Sequence, residues 1–201
     1  MEKINQSYTC AAADTDGIAN ATVCTGAGPW VPNVASGAAD GLGHLITITQ
    51  AGATDHSTKT AIITGTDAAG NPQTETGLAL PNGATTVTST KYFKTVTSVA
   101  ISATIGADTM TMGWAVGAVS PWAQCVEKTQ YQQGFNMGIG CTVVDTPNYS
   151  VQFTYDGVGV FTHATITGKT ANFTAQQVYP VGAIRLLFAA AGTVTMTALQ
   201  Y

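Results

Sequence analysis

The sequence predicts an all-β chain, organised as two small immunoglobulin-like or jelly-roll-like β-sandwich domains in tandem. Three observations point there. Thr occupies about one position in six and the hydrophobic fraction is 45 %, a composition whose β-branched side chains pack well on a pleated surface. Apolar and polar residues alternate in short runs bounded by Gly, Asn, Asp or Pro, the pattern of half-buried strands. Charged residues make up only 9 %, against roughly 25 % in ordinary soluble domains, and strong helix formers are scarce.

Residues 1–44 read as an N-terminal extended segment with the first strands; within it, "ADTDGIAN" (13–20) reads as an Asp-Gly turn rather than a calcium loop. The first sandwich spans 45–118, on the alternation of "HLITITQ" (44–50), "TAIITGT" (60–66), "TTVTST" (85–90), "TSVAISA" (97–103) and "DTMTMGWAVG" (108–117). In "TGTDAAGNPQTET" (64–76), Asp67, Asn71 and Glu75 recur every four residues, which raises a metal-binding loop as one reading. A calcium loop needs ligands at alternate positions and flanking helices, whereas Asp67, Gly70, Asn71 and Pro72 supply the chemistry of a chain reversal, so a hairpin turn is expected.

Pro121 in "AVSPWAQ" removes a backbone donor, holds Ser120 extended and marks a break. The second sandwich spans 119–201, with "GIGCTVVD" (138–145), "YSVQFTYDG" (149–157), "VFTHATITG" (160–168), "GAIRLLFAA" (182–190) and "GTVTMTALQY" (192–201). The two halves share an order of features over 92–115 and 178–200: Val96 matches Val181, Val99 matches Ile184, Ile101 matches Leu186 and Gly106 matches Gly192. Both halves are therefore expected to close with the same hairpin.

A net charge of −4 with only 7 Lys plus Arg argues against nucleic-acid binding, which needs clustered cations. "MEKINQSYTC" has no apolar run behind its single basic residue, and the longest apolar stretch, near 183–192, is broken by Arg185 and far short of the ~20 residues that span a bilayer. Synthesis in a cytoplasm and no membrane segment are the expectation. A surface so poor in charge tends to associate, so a homo-oligomer is expected.

No catalytic residue is assigned. G-x-S-x-G, H-E-x-x-H, Walker and Rossmann patterns are absent, and His44, His56 and His163 have no signature around them. His163 alternates within a strand pattern and reads as an exposed or edge-strand residue, while His44 and His56 read as solvated. Metal and cofactor are both read as none.

Cys10 with Cys24 and Cys125 with Cys141 fall as two pairs 14 and 16 residues apart, without the tight C-x-x-C spacing of a zinc site. Buried thiols are the first expectation in a reducing compartment, with disulfides at these four positions as the alternative. Trp30 in "GAGPWVPN" and Trp122 in "SPWAQ" lie beside prolines, so each is either a sugar-stacking platform or an interface anchor. The isolation of the two favours the interface, with Phe135 as a third anchor, whereas Trp114 is expected to fill a core.

The run "ITGTDAAGNPQTET…TTVTSTKYFKTVTSVAIS…MTMGWA" and the later "SPWAQ…FNMGIG…YSVQFTYD…YPVGAIRLLFAAAGTVTMTALQ" resemble small virion structural proteins of tailed bacteriophages, over most of 45–201. That resemblance implies a virion location after assembly in the host cytoplasm. It also implies a structural, non-enzymatic role: a capsid decoration or cement protein, or a neck, head-completion or tail component acting as a ring or fibre adaptor. The implied partner is the major capsid protein or another virion protein. A trimer clamping points where capsomers meet is expected, with loops near 10–42 and 120–140 supplying apolar contacts. A β-sandwich module that binds glycans or a host surface is the remaining alternative.

Overall fold

Fifteen strands and no helix run through the residues described by the structure, a computed structural model: 2–125 and 136–200. In chain order they are β1 (Glu2–Cys10), β2 (Asp14–Ala19), β3 (Gly43–Gln50), β4 (Thr60–Thr66), β5 (Pro72–Ala79), β6 (Thr86–Phe93), β7 (Thr95–Ile101) and β8 (Met110–Val119). There follow β9 (Ala123–Gln124), β10 (Met137–Val144), β11 (Tyr149–Thr154), β12 (Phe161–Thr162), β13 (Phe173–Gln177), β14 (Ala183–Phe188) and β15 (Gly192–Gln200). The all-β class is as expected. Among the described residues no helix is long and apolar enough to cross a membrane.

The chain divides into two compact units, and their division is not a simple tandem. One unit is Ala11–Ala118; the other combines Val119–Tyr201 with Met1–Cys10. The N-terminal ten residues, expected within an extended segment 1–44 ahead of the first sandwich, form β1 of the latter unit, which pairs antiparallel with β15 along its whole length from Glu2↔Gln200 to Cys10↔Gly192. The two are called here the central unit (11–118) and the terminal unit.

In the central unit β2 pairs β8, β8 lies beside β3, and β3 pairs β6; a second sheet runs β5-β4-β7. Alternation explains the core. Ile46 and Ile48 of β3, Ala61 and Ile63 of β4, Val96 and Val99 of β7 and Met110 and Met112 of β8 pack into one cluster, closed by Ile18 and Trp30. "TGTDAAGNPQTET" is the hairpin turn expected: Asp67 Oδ1 accepts from the backbone N–H of Ala69 and Asn71 at 2.9 and 2.8 Å, and β4 pairs β5 across it. "ADTDGIAN" is not a turn but the bulged strand β2, with its register shifted between Asp14 and Ala19.

In the terminal unit one sheet runs β1-β15-β10-β13, and β12-β11-β14 with β9 form the other group. Along β15, Val194, Met196 and Ala198 are buried and alternate with half-exposed threonines. The Tyr149 hydroxyl of β11 donates to Ala171 O at 2.9 Å and meets the Cys141 thiol of β10, which joins the two groups.

The expected closing hairpin is absent from both halves. β7 pairs β4 while β8 belongs to the other sheet, and β14 pairs β11 while β15 pairs β1 and β10. The similarity between the halves is real in another form, since each consecutive strand pair passes from one sheet to the other. A passage of this kind buries both strands: Val96, Val99, Val181, Ile184 and Leu186 are all below 10 % exposed.

Candidate contact surface

The candidate residues of the sequence fall into three groups once placed. Trp30 is a correction. It is fully buried, its indole Nε1 donates to Thr25 O at 3.1 Å, and its backbone exchanges two 2.8 Å hydrogen bonds with Val99. A side chain so enclosed pins the 20–42 segment onto the central core and offers nothing to another subunit or a sugar. Trp122 is half-exposed in the terminal unit, with the Arg185 guanidinium 4.3 Å over one face of its ring and Arg185 Nε held by Gln152 Oε1 at 2.8 Å. Phe135 lies outside the described residues. Trp114 packs against the central core only in part, its Nε1 donating to Ala12 O at 2.9 Å.

None of the four cysteines forms a disulfide, and all are buried. Burial pushes the Cys24 thiol up to about 12. It pushes Cys141 to about 12 as well, against the lowering contact with the Tyr149 hydroxyl.

The histidines are also corrected, for all three are buried and hydrogen-bonded through both ring nitrogens. His44 is held from both sides, by Ala115 O at Nδ1 (2.9 Å) and by Asp40 Oδ2 at Nε2 (2.7 Å). Burial raises the Asp40 carboxyl, but hydrogen bonds from His44 and from the N–H of Ala11 and Leu42 outweigh it and hold the group below its usual range. His56 accepts from the Lys59 ammonium at Nδ1 (2.7 Å) and donates from Nε2 to Asp108 at 2.8 Å, a neutral tautomer bridging a cation and a carboxylate. His163 Nδ1 accepts from the N–H of Thr165 and Ile166, each at 3.3 Å. Those bonds curl "VFTHATITG" away from the long strand its alternation suggests, so β12 stops at Thr162.

Glu75 has the same internal character. Its carboxylate accepts from the N–H of Thr90 and Lys91 at 2.8 Å each, which ties edge strand β5 to β6 where no backbone ladder exists. Asp67 and Asn71 serve the turn while Glu75 turns inward, so the four-residue spacing gathers no metal site.

Unsatisfied surface gathers elsewhere, in the terminal unit. The hairpin between β11 and β12 satisfies its polar groups internally: Asp156 Oδ1 accepts from the N–H of Val158 and Gly159 at 2.9 and 2.8 Å, and Thr154 Oγ1 from Gly157 at 2.9 Å. The same two backbone donors hold the Asp156 carboxyl below its usual range. Gly157, at φ 79°, makes the reversal. What remains outside is apolar: Val158 is 84 % exposed, and Tyr155, Val160 and Phe161 between 46 and 52 %. Phe153, Tyr155 and Phe161 form a ring triangle with centroids 5.5 to 5.6 Å apart.

A second segment, 176–182, is tied beside it by His163 Nε2 with Gln176 O at 3.3 Å and by Gly182 N to Thr154 O at 2.8 Å. It exposes Val178 and Tyr179 at 55 and 68 %. Single exposed apolar residues mean little, but six on two adjacent segments mark an interaction surface. Sequence periodicity does not find this patch, because "YDGVGV" carries only turn signals; the one cue is a Val on each side of Gly159. No protein-family model matches the chain, and no curated protein matches it.

Proposed function

We propose that this chain is a structural component of a tailed-bacteriophage virion, acting as a decoration or cement protein that binds the outer capsid surface and stabilises the shell without catalysing a reaction. The observation that carries the reading is the contrast inside the molecule: buried titratable groups committed to internal bonds, and an apolar patch at 155–161 and 176–182 left open. The resemblance of "ITGTDAAGNPQTET" and "YPVGAIRLLFAAAGTVTMTALQ" to such proteins supplies the setting. A shell repeats each contact many times, so a modest apolar patch per copy suffices when multiplied by symmetry.

The contact surface differs from the one the sequence suggests. Deleting 10–42 removes β2, Cys24 and Trp30 from the central core, so that truncation is a folding perturbation before it is a test of binding. The informative variants are Val158→Asp and Tyr179→Ser, which lie on the surface. Purified protein is incubated with particles lacking it, and bound copies are counted after sedimentation. Retention of the wild-type chain and loss of both variants supports the capsid contact; equal binding of all three refutes it. A preference for the neck or tail, or capture only by host glycans, would show as a different bound structure in the same assay.

A further inference from the structure

Three segments of the central unit, 54–59, 81–83 and 105–108, are tied together at His56. Its backbone N–H donates to Pro81 O at 3.0 Å, the N–H of Gly83 donates to Thr54 O at 3.2 Å, and its ring reaches Asp108. Three side chains stand in a row there: Lys59 Nζ lies 2.7 Å from His56 Nδ1, and His56 Nε2 lies 2.8 Å from Asp108 Oδ2. His56 is buried, whereas Lys59 and Asp108 are only partly covered, so the lysine end of the row is open to reagents.

Hydrogen bonds from the Thr54 hydroxyl and from His56 hold the Asp108 carboxyl below its usual range, so it is a carboxylate at neutral pH. The His56 Nε2 that faces it carries the ring proton, and Nδ1 presents its lone pair to Lys59. The other charge beside the row is Asp55, whose Oδ1 accepts from the N–H of Ser57 at 2.8 Å; Pro81, Asn82 and Gly83 add no titratable group. The order is that of an activated nucleophile: an attacking group, a base within hydrogen-bond reach, and a third group that orients the base. Two other lysines make the contrast. Lys91 Nζ donates to Thr74 O at 2.7 Å, and Lys169 Nζ stands 4.1 Å over the centre of the Phe173 ring. A carbonyl or a ring face can hold an ammonium but cannot remove its proton, whereas an imidazole can.

We propose that Lys59 is a covalent modification site, an amine that takes an acyl group from a thioester, with His56 as its general base and Asp108 as the positioning residue. Once Lys59 has lost its ammonium proton to solvent, the amine nitrogen adds to the thioester carbonyl carbon and the C–N bond forms as the carbonyl electron pair moves onto oxygen. His56 Nδ1 takes one proton from the adduct nitrogen. The adduct then collapses, the C–S bond breaks, and that proton passes from Nδ1 to the departing sulfur. Amine and thioester become amide and thiol, once per chain, with no oxidant or reductant. The modification is independent of the virion reading, because it is measured on the protein alone.

The purified chain is exposed to S-phenyl thioacetate across a pH series, quenched at short intervals and digested, and acetylation at each lysine is read by mass spectrometry. Lys59 is expected to acetylate more than about tenfold faster than Lys91 near neutral pH, a modest share of what a positioned base contributes. Its rate should also show an inflection near the ordinary histidine value of about 6.5, where His56 loses the proton that blocks Nδ1. In His56→Gln the amide can hold Lys59 but not take its proton, so the inflection should vanish and the rate fall to that of Lys91. Asp108→Asn, at a partly exposed position, should slow Lys59 as well by releasing the ring from its tautomer, with Lys91 unchanged in both variants. Thermal unfolding checks the fold, and if the buried histidine position does not tolerate glutamine, the wild-type pH profile and Asp108→Asn decide. A Lys59 rate within about tenfold of Lys91, a profile without the inflection, or a folded variant that acetylates Lys59 as fast as wild type overturns the proposal.

Discussion

The two units use their polar and apolar groups in opposite ways. The central unit turns polar groups inward and commits them: His44 with Asp40, His56 between Lys59 and Asp108, Glu75 on two backbone N–H groups. It exposes three large hydrophobics, Val31, Val34 and Ile62, whereas the described residues of the shorter terminal unit expose seven, six of them at 155–161 and 176–182. The difference teaches that one unit is organised for internal stability and the other keeps surface in reserve. A buried polar network is costly unless complete, so a unit that completes three is committed to a single conformation.

Substitutions should separate these roles. The largest effect is expected at Trp30→Ala, which empties the centre of the central core and should cost about 3–5 kcal/mol in denaturant unfolding. A loss below about 1 kcal/mol would mean that Trp30 is not the anchor described. Next is Asp40→Ala, which strands His44 beside a vacated acceptor and should cost about 3 kcal/mol, the scale for breaking a buried pair. Glu75→Ala leaves two backbone donors of β6 without their acceptor and should cost about 2 kcal/mol, with β5 exchanging its amides faster.

The pH dependence follows from the depressed carboxyl of Asp40. A folded-state pKa below the unfolded one gives stability that is complete above the ordinary carboxylate value of about 4 and is lost as pH falls through the lowered value. Acid titration should therefore weaken the wild type over that window and leave Asp40→Asn flatter. At the small end, Val158→Asp should change stability by less than about 0.5 kcal/mol while abolishing capsid binding, because its side chain stands in solvent. Cys24 and Cys141 should resist alkylation until the chain unfolds, since burial keeps both thiols protonated.

Legibility in the sequence followed burial on two sides. β3, β4, β8 and β15 alternate because a buried face demands it, and their runs are visible without the structure. Strands β1 and β13 lie at the edges of their sheet, carry mostly polar residues ("EKINQSYTC", "FTAQQ") and left little pattern to read. The sheet exchange after β7 and β14 was hidden for another reason: adjacent strands look like a hairpin whether or not they pair. Trp30 misled because its flanking prolines describe a loop, while its burial comes from Val99, far along the chain. The histidines misled likewise, since their partners lie as far as Asp108 from His56. Local signals place turns; they do not say which side chains a turn brings indoors.

The most direct test of the proposed role is the copy number of this polypeptide in purified phage particles, measured by quantitative mass spectrometry against the major capsid protein. The account predicts stoichiometric abundance, near one copy per capsid subunit or one trimer per local threefold axis. A few copies per particle would contradict the decoration role and move the protein to the neck or tail, and absence from particles would contradict the virion role altogether.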